Sequence, residues 1–138
     1  MDTHIINSAH QGGMSFSTTI DTHQLITDTT ADNGGNNEGP SPKRLMLASL
    51  AGCTGIDVVS VLEKMKVPFS QLSIKVSALV SDNHPKVYTQ VSVNYQIKVA
   101  AEHQPKVEKA VQLSSEKYCG VMAMFRGFAK VETVVEFL

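Results

Sequence analysis

An excess of charge of either sign is the first thing this chain lacks. Its 138 residues carry 12 Lys+Arg against 13 Asp+Glu, a formal net charge of -1. Nothing electrostatic therefore points to nucleic acid or to an anionic membrane, and neither is expected as a partner. Metal-ligand spacing is missing as well. The histidines are scattered (His4, His10, His23, His84, His103), and neither H-x-x-x-H nor C-x-x-C occurs. No metal and no cofactor is expected. The start, Met1-Asp2-Thr3-His4-Ile5-Ile6, has neither a basic n-region nor an apolar h-region, so it does not read as a secretory signal. The expected location is cytoplasmic, where a structural disulfide is unusual and a catalytic one is not. Tryptophan is absent, which excludes nothing by itself. Internal repeats and domain linkers are absent too, and the length suits one domain over residues 1–138 with its own core.

What is present is a long apolar run. Residues 45–62 contain a single charge, Asp57, which brings the segment near the lower length limit for a membrane span. An Asp near the middle costs about 2.5–3.5 kcal/mol on insertion scales, and Ser49, Gly52, Thr54, Gly55 and Ser60 dilute the hydrophobicity. A buried core helix is the expectation. Ser41-Pro42 marks its start, with Ser as N-cap and Pro at the first helical position; it should reach about Lys66 and stop before Pro68. Being apolar on nearly all sides, it requires other structure around it.

On either side of this helix the period changes to two. Residues 3–27 alternate weakly around Gly12-Gly13, as in a short hairpin, and Asp28 to Pro40 reads as loop. Leu72–Leu79 and Val87–Val99 alternate strictly around a Ser81-to-Pro85 turn, giving a long antiparallel hairpin. A helix from Gln104-Pro105 to about Lys117 follows, then a short helix over Cys119–Phe125 and a closing strand over Ala129–Phe137. The order ββ-α-ββ-αα-β predicts an α+β domain whose antiparallel sheet wraps a buried central helix.

Cys53, inside the central helix, and Cys119, opening the short one, stand 66 positions apart. They are either inert core thiols or a reactive pair joined by folding. Asp57 lies at i+4 from Cys53, on the same helix face, where an unpaired carboxylate raises a thiol pKa. If a helix begins at Cys119, its free backbone N–H groups favour the thiolate there. Asp57 itself reads more readily as a structural carboxylate than as a base, and His84 as an exposed turn residue. Met122, Met124 and Phe125 read as core or as dimer surface.

As a set, Gly39-Pro40-Ser41-Pro42, Gly52-Cys53-Thr54-Gly55-Ile56-Asp57-Val58-Val59, His84-Pro85-Lys86-Val87-Tyr88-Thr89 and Ser114-Ser115-Glu116-Lys117-Tyr118-Cys119-Gly120-Val121 resemble the OsmC/Ohr family. These are the osmotically induced and organic hydroperoxide resistance proteins. The resemblance covers nearly the whole chain. It implies a single OsmC-like domain in an intertwined homodimer, with long central helices wrapped by sheets. It also implies a thiol-dependent peroxidase acting in oxidative-stress defence, with Cys53 as the peroxidatic and Cys119 as the resolving cysteine. The substrate would be a small hydrophobic hydroperoxide in a pocket lined by Met46, Leu50, Met122 and Phe125, and the reductant a lipoyl-type dithiol. One departure matters. Peroxidase members place an N-terminal Arg beside the thiol, held by a Glu at the start of the central helix. Here no Arg precedes Arg44, the only other is Arg126, and the expected Glu position falls within Pro42-Lys43-Arg44. Lys43 and Arg44 are left as thiolate-stabilising cations. The alternative is a non-peroxidase member that binds a small hydrophobic ligand or senses oxidant.

Overall fold

A computed structural model describes all residues, Met1–Leu138. The chain forms two compact units, Met1–Met46 and Leu47–Leu138. In the first, β1 (Asn7–Gly12), β2 (Ser15–Ile20) and β3 (His23–Thr27) form an antiparallel meander. The expected hairpin thus gains a third strand. Its tight turns use Gly12 and Gly13 and, between β2 and β3, Asp21, all at positive φ. The loop that follows is organised by Asp28, whose carboxylate accepts the backbone N–H groups of Thr29, Asn36 and Glu38. The Thr29 and Glu38 donors hold this carboxyl below the usual range, ahead of burial acting the other way and of the Asn36 donor. Gly39 lies so close to β3 that an added Cβ would stand 2.1 Å from the Ile26 carbonyl oxygen.

Helix α1 spans Pro42–Lys64, beginning where Ser41-Pro42 predicts. By length and hydropathy it could cross a membrane. Its fully buried residues are Leu50, Thr54, Val58 and Leu62, one i, i+4 stripe. One chain covers one face of this helix, and Ile56 on the other remains 72% exposed. The helix ends two residues before the expected Lys66 in a Schellman turn. Val67 N–H bonds the Leu62 carbonyl and Lys66 N–H the Glu63 carbonyl, with Lys66 at φ 56°.

The second unit contains β4 (Ser70–Val80), β5 (Tyr88–Lys98), α2 (Gln104–Leu113), a π-helical turn Ser114–Tyr118, α3 (Gly120–Arg126) and β6 (Lys130–Phe137). Strand β5 is central. It pairs antiparallel with β4, and its inward residues Val91, Val93, Tyr95 and Ile97 are nearly or fully buried. Strand β6 pairs with β5 in parallel, so the wholly antiparallel sheet expected from the sequence is corrected. The helical connection over α2 and α3 is long enough for the crossover that parallel neighbours require. The core gathers Leu50, Val58 and Leu62 of α1, the inward face of β5, Val107, Ala110 and Val111 of α2, and Met122 and Phe125 of α3.

Candidate active site

Folding brings the two cysteines together. Cys53 sits mid-way along α1, one turn before Asp57, while Cys119 arrives at the N-cap of α3, directly after the π-helical turn. One donor atom from each of Cys53, Asp57 and Cys119 lies within 4.8 Å of the other two. Both thiols are free, with Cys53 half-buried and Cys119 buried. Spacing along the sequence hides this set of possible metal ligands because Cys119 joins it only in three dimensions.

A chain of hydroxyls orients the carboxylate. Ser114 Oγ donates to Asp57 Oδ2 at 2.9 Å. Its single proton is thereby committed, so at 2.7 Å Thr54 donates to Ser114. Thr54 in turn accepts from Tyr95 Oη at 2.6 Å. The proton order runs Tyr95, Thr54, Ser114, Asp57. Thr54, Tyr95 and Ser114 have no solvent exposure. Burial pushes the Tyr95 hydroxyl above its ordinary pKa. Arg126 secures the π-helical turn at the next residue, donating to both the carbonyl and the hydroxyl of Ser115.

The expectation that free N–H groups favour a thiolate at Cys119 is half met. Its Sγ does accept the Met122 backbone N–H, at 3.3 Å. The net effect is nevertheless opposite: burial first, then the hydrogen bond with Cys53, and further the charges of Cys53 and Asp57, push this thiol up to about 11. Desolvation outweighs one donor.

Of the other residues singled out in the sequence, Leu50, Met122 and Phe125 lie in the core with 0%, 0% and 2% exposure, while Met46 is exposed. Lys43 and Arg44 are exposed in the first turn of α1. A groove of about 500 Å³ borders the site on the Asp57 side, lined by Asp57, Ser60, Val61, Lys64, Met65, Leu113 and Tyr118. Sequence reading did not single out Thr54, Tyr95 or the groove. The available signal was Thr54 itself, a polar residue on an otherwise apolar i, i+4 stripe.

The family model of OsmC-like proteins matches residues 34–134. The chain belongs to this family. Among curated relatives, protein YhfA of Escherichia coli strain K12 is 31% identical over 102 residues, covering 74% of this chain and 73% of YhfA. Among solved structures, a hypothetical protein from Aquifex aeolicus VF5 is 25% identical with a TM-score of 0.81, over 100% of this OsmC-like chain and 99% of its own. The organic hydroperoxide resistance protein OhrB of Bacillus subtilis is 17% identical with a TM-score of 0.64, covering 98% of each chain. At that identity OhrB shows a shared fold. The α+β architecture of two small sheets and packed helices is thus that of OsmC-like proteins.

Proposed function

We propose that this protein is a thiol-dependent peroxidase that reduces organic hydroperoxides through Cys53 and Cys119. The observation that carries the reading is the approach of the two free sulfurs to within 4.8 Å from distant parts of the sequence. The Cys53 thiolate attacks the distal peroxide oxygen; an S–O bond forms, the O–O bond breaks, and the alkoxide takes a proton and leaves as alcohol. The Cys53 sulfenic acid then condenses with Cys119, releasing water and forming a disulfide. A lipoyl-type dithiol returns both thiols by exchange and leaves as its own disulfide. The order of attack follows from exposure. Cys53 is the more accessible thiol, whereas Cys119 is buried and stays protonated until condensation. Val61, Met65, Leu113 and Tyr118 give the neighbouring groove apolar surface suited to an organic substrate. A homodimer, as the family resemblance implies, is part of the reading.

Cumene hydroperoxide consumption by the purified protein with dihydrolipoamide tests it. Turnover is expected in the wild type and abolished in Cys53→Ser, while Cys119→Ser stalls at the sulfenic acid. Lys43→Ala or Arg44→Ala, if either slows turnover selectively, identifies the supporting cation. A second reading, a non-peroxidase member that binds a hydrophobic ligand or senses oxidant, is favoured by one observation: Asp57 places a carboxylate beside the sulfurs, and its charge is among the causes that keep Cys119 protonated. Absent turnover together with an intact Cys53–Cys119 disulfide after mild oxidation would select it.

A further inference from the structure

The trio of Cys53, Asp57 and Cys119 has the composition and spacing of a cation site. In a tetrahedral zinc centre, with Zn–S near 2.3 Å, neighbouring donors stand roughly 3.8 Å apart. The three donor atoms, all within 4.8 Å of one another, therefore need to close by roughly 1 Å for the sulfur pair and slightly more for each sulfur–oxygen pair. Their supporting shell is already in place. The Asp57 carboxylate receives the Ser114 hydroxyl, backed by Thr54 and Tyr95, and Cys119 Sγ receives the Met122 N–H. Outer hydrogen bonds of this kind orient ligands in metal centres. Cys53 and Asp57 stand at i and i+4 on one helix, a spacing that presents both to one ion. Two sulfurs and one carboxylate fill three tetrahedral positions; with Cys53 only half-buried and Asp57 lining a groove, water would supply the fourth.

We propose that the reduced protein binds one thiophilic divalent cation of the Zn²⁺ type through Cys53 Sγ, Cys119 Sγ and an Asp57 carboxylate oxygen. Two S–metal bonds form, the two thiol protons pass to solvent, and no electron is transferred. Cation binding and disulfide formation exclude each other because they use the same sulfurs. A bound ion therefore protects the thiols and holds the pair out of any redox cycle. The site shares its residues with the proposed peroxidase but does not depend on peroxide turnover.

The test uses reduced, metal-free full-length protein, with Co²⁺ as the spectroscopic probe and Zn²⁺ as competitor. The expected result is one Co²⁺ per chain, with a sulfur-to-cobalt charge-transfer band and tetrahedral d–d bands that Zn²⁺ removes. Blocking both thiols with methyl methanethiosulfonate should abolish the bands without any change of sequence. Asp57→Asn, nearly isosteric and checked for folding by circular dichroism, should weaken Zn²⁺ binding by about tenfold or more. Three outcomes overturn the proposal: no sulfur-to-cobalt band, binding that survives thiol blocking, or equal Zn²⁺ affinity in wild type and Asp57→Asn. Peroxide consumption is measured separately on the metal-free protein. Lost turnover beside an intact cobalt spectrum removes the peroxidase reading alone, and the converse removes the cation site alone.

Discussion

Thr54 is completely buried, and its hydroxyl links Tyr95 to Ser114. Thr54→Val keeps the shape but leaves one hydroxyl without a donor and another without an acceptor, at about 1–3 kcal/mol for each orphaned group. Urea unfolding should show a loss of that order, whereas a change within experimental error would mean the hydroxyls find other partners. Two raised pKa values at this site make stability fall on the alkaline side. Cys119 is pushed up from 9.0 to about 11, first by burial and then by Cys53, and burial raises Tyr95 above 10.0. Both groups keep their protons longer when folded than when unfolded. Their stabilisation is complete below the unfolded values and disappears as pH rises through the folded ones. The midpoint of urea unfolding is expected to decline from about pH 9 to about pH 11, and Cys119→Ala should flatten that decline. The two cysteines were legible in the sequence because a thiol within an apolar helix is conspicuous. Tyr95 and Ser114 were not, since each fits its periodic pattern as ordinary strand or helix residue until the fold sets them beside Thr54.

The end of α1 shows how local geometry overrides residue preference. Lys66 occupies the left-handed position of a Schellman turn, at φ 56°, a conformation that costs an L-residue with a Cβ roughly 1–2 kcal/mol and glycine nothing. Lys66→Gly should therefore stabilise the protein by up to about 1 kcal/mol once the extra entropy of unfolded glycine is counted. A thermal shift in the opposite direction would show that the lysine stem contributes more than the strain costs. Pro42 marked the start of this helix from sequence alone, because a ring without an N–H belongs in the first turn. The end was placed late because Lys64, Met65 and Lys66 all suit a helix, and only the backbone turn stops it. Strand direction was harder still. Residues 130–137 alternate as an edge or a parallel strand would, and the period of two carries no information on polarity. The helical connection from β5 to β6 was the available clue.

Both units leave apolar surface that one chain does not cover. In the meander, Phe16 and Ile20 share a face of β2 with Thr18 and are 43% and 37% exposed, while its buried residues are the polar Ser15 and Thr18. A three-stranded sheet with no buried apolar side chain of its own has little to offset the entropy of ordering it. On α1, Ile56 is 72% exposed beside Gly52, where an added Cβ would meet nothing within 4 Å. With Gly55, Val59, Ser60 and Glu63 these residues line a hollow of about 410 Å³. Exposed apolar residues on both an N-terminal sheet and a central helix are what an intertwined dimer would cover, with each chain supplying what the other lacks. Sedimentation velocity at micromolar concentration should therefore find a dimer. Ile56→Glu, which would desolvate a charge at the contact, should shift the population to monomer. Because the monomer would leave Phe16 and Ile20 uncovered, it should also exchange the amide hydrogens of β1, β2 and β3 faster than those of β5. A wild-type monomer with a slowly exchanging meander would remove the dimer from this account, and an Ile56→Glu protein that remains dimeric would move the contact away from α1.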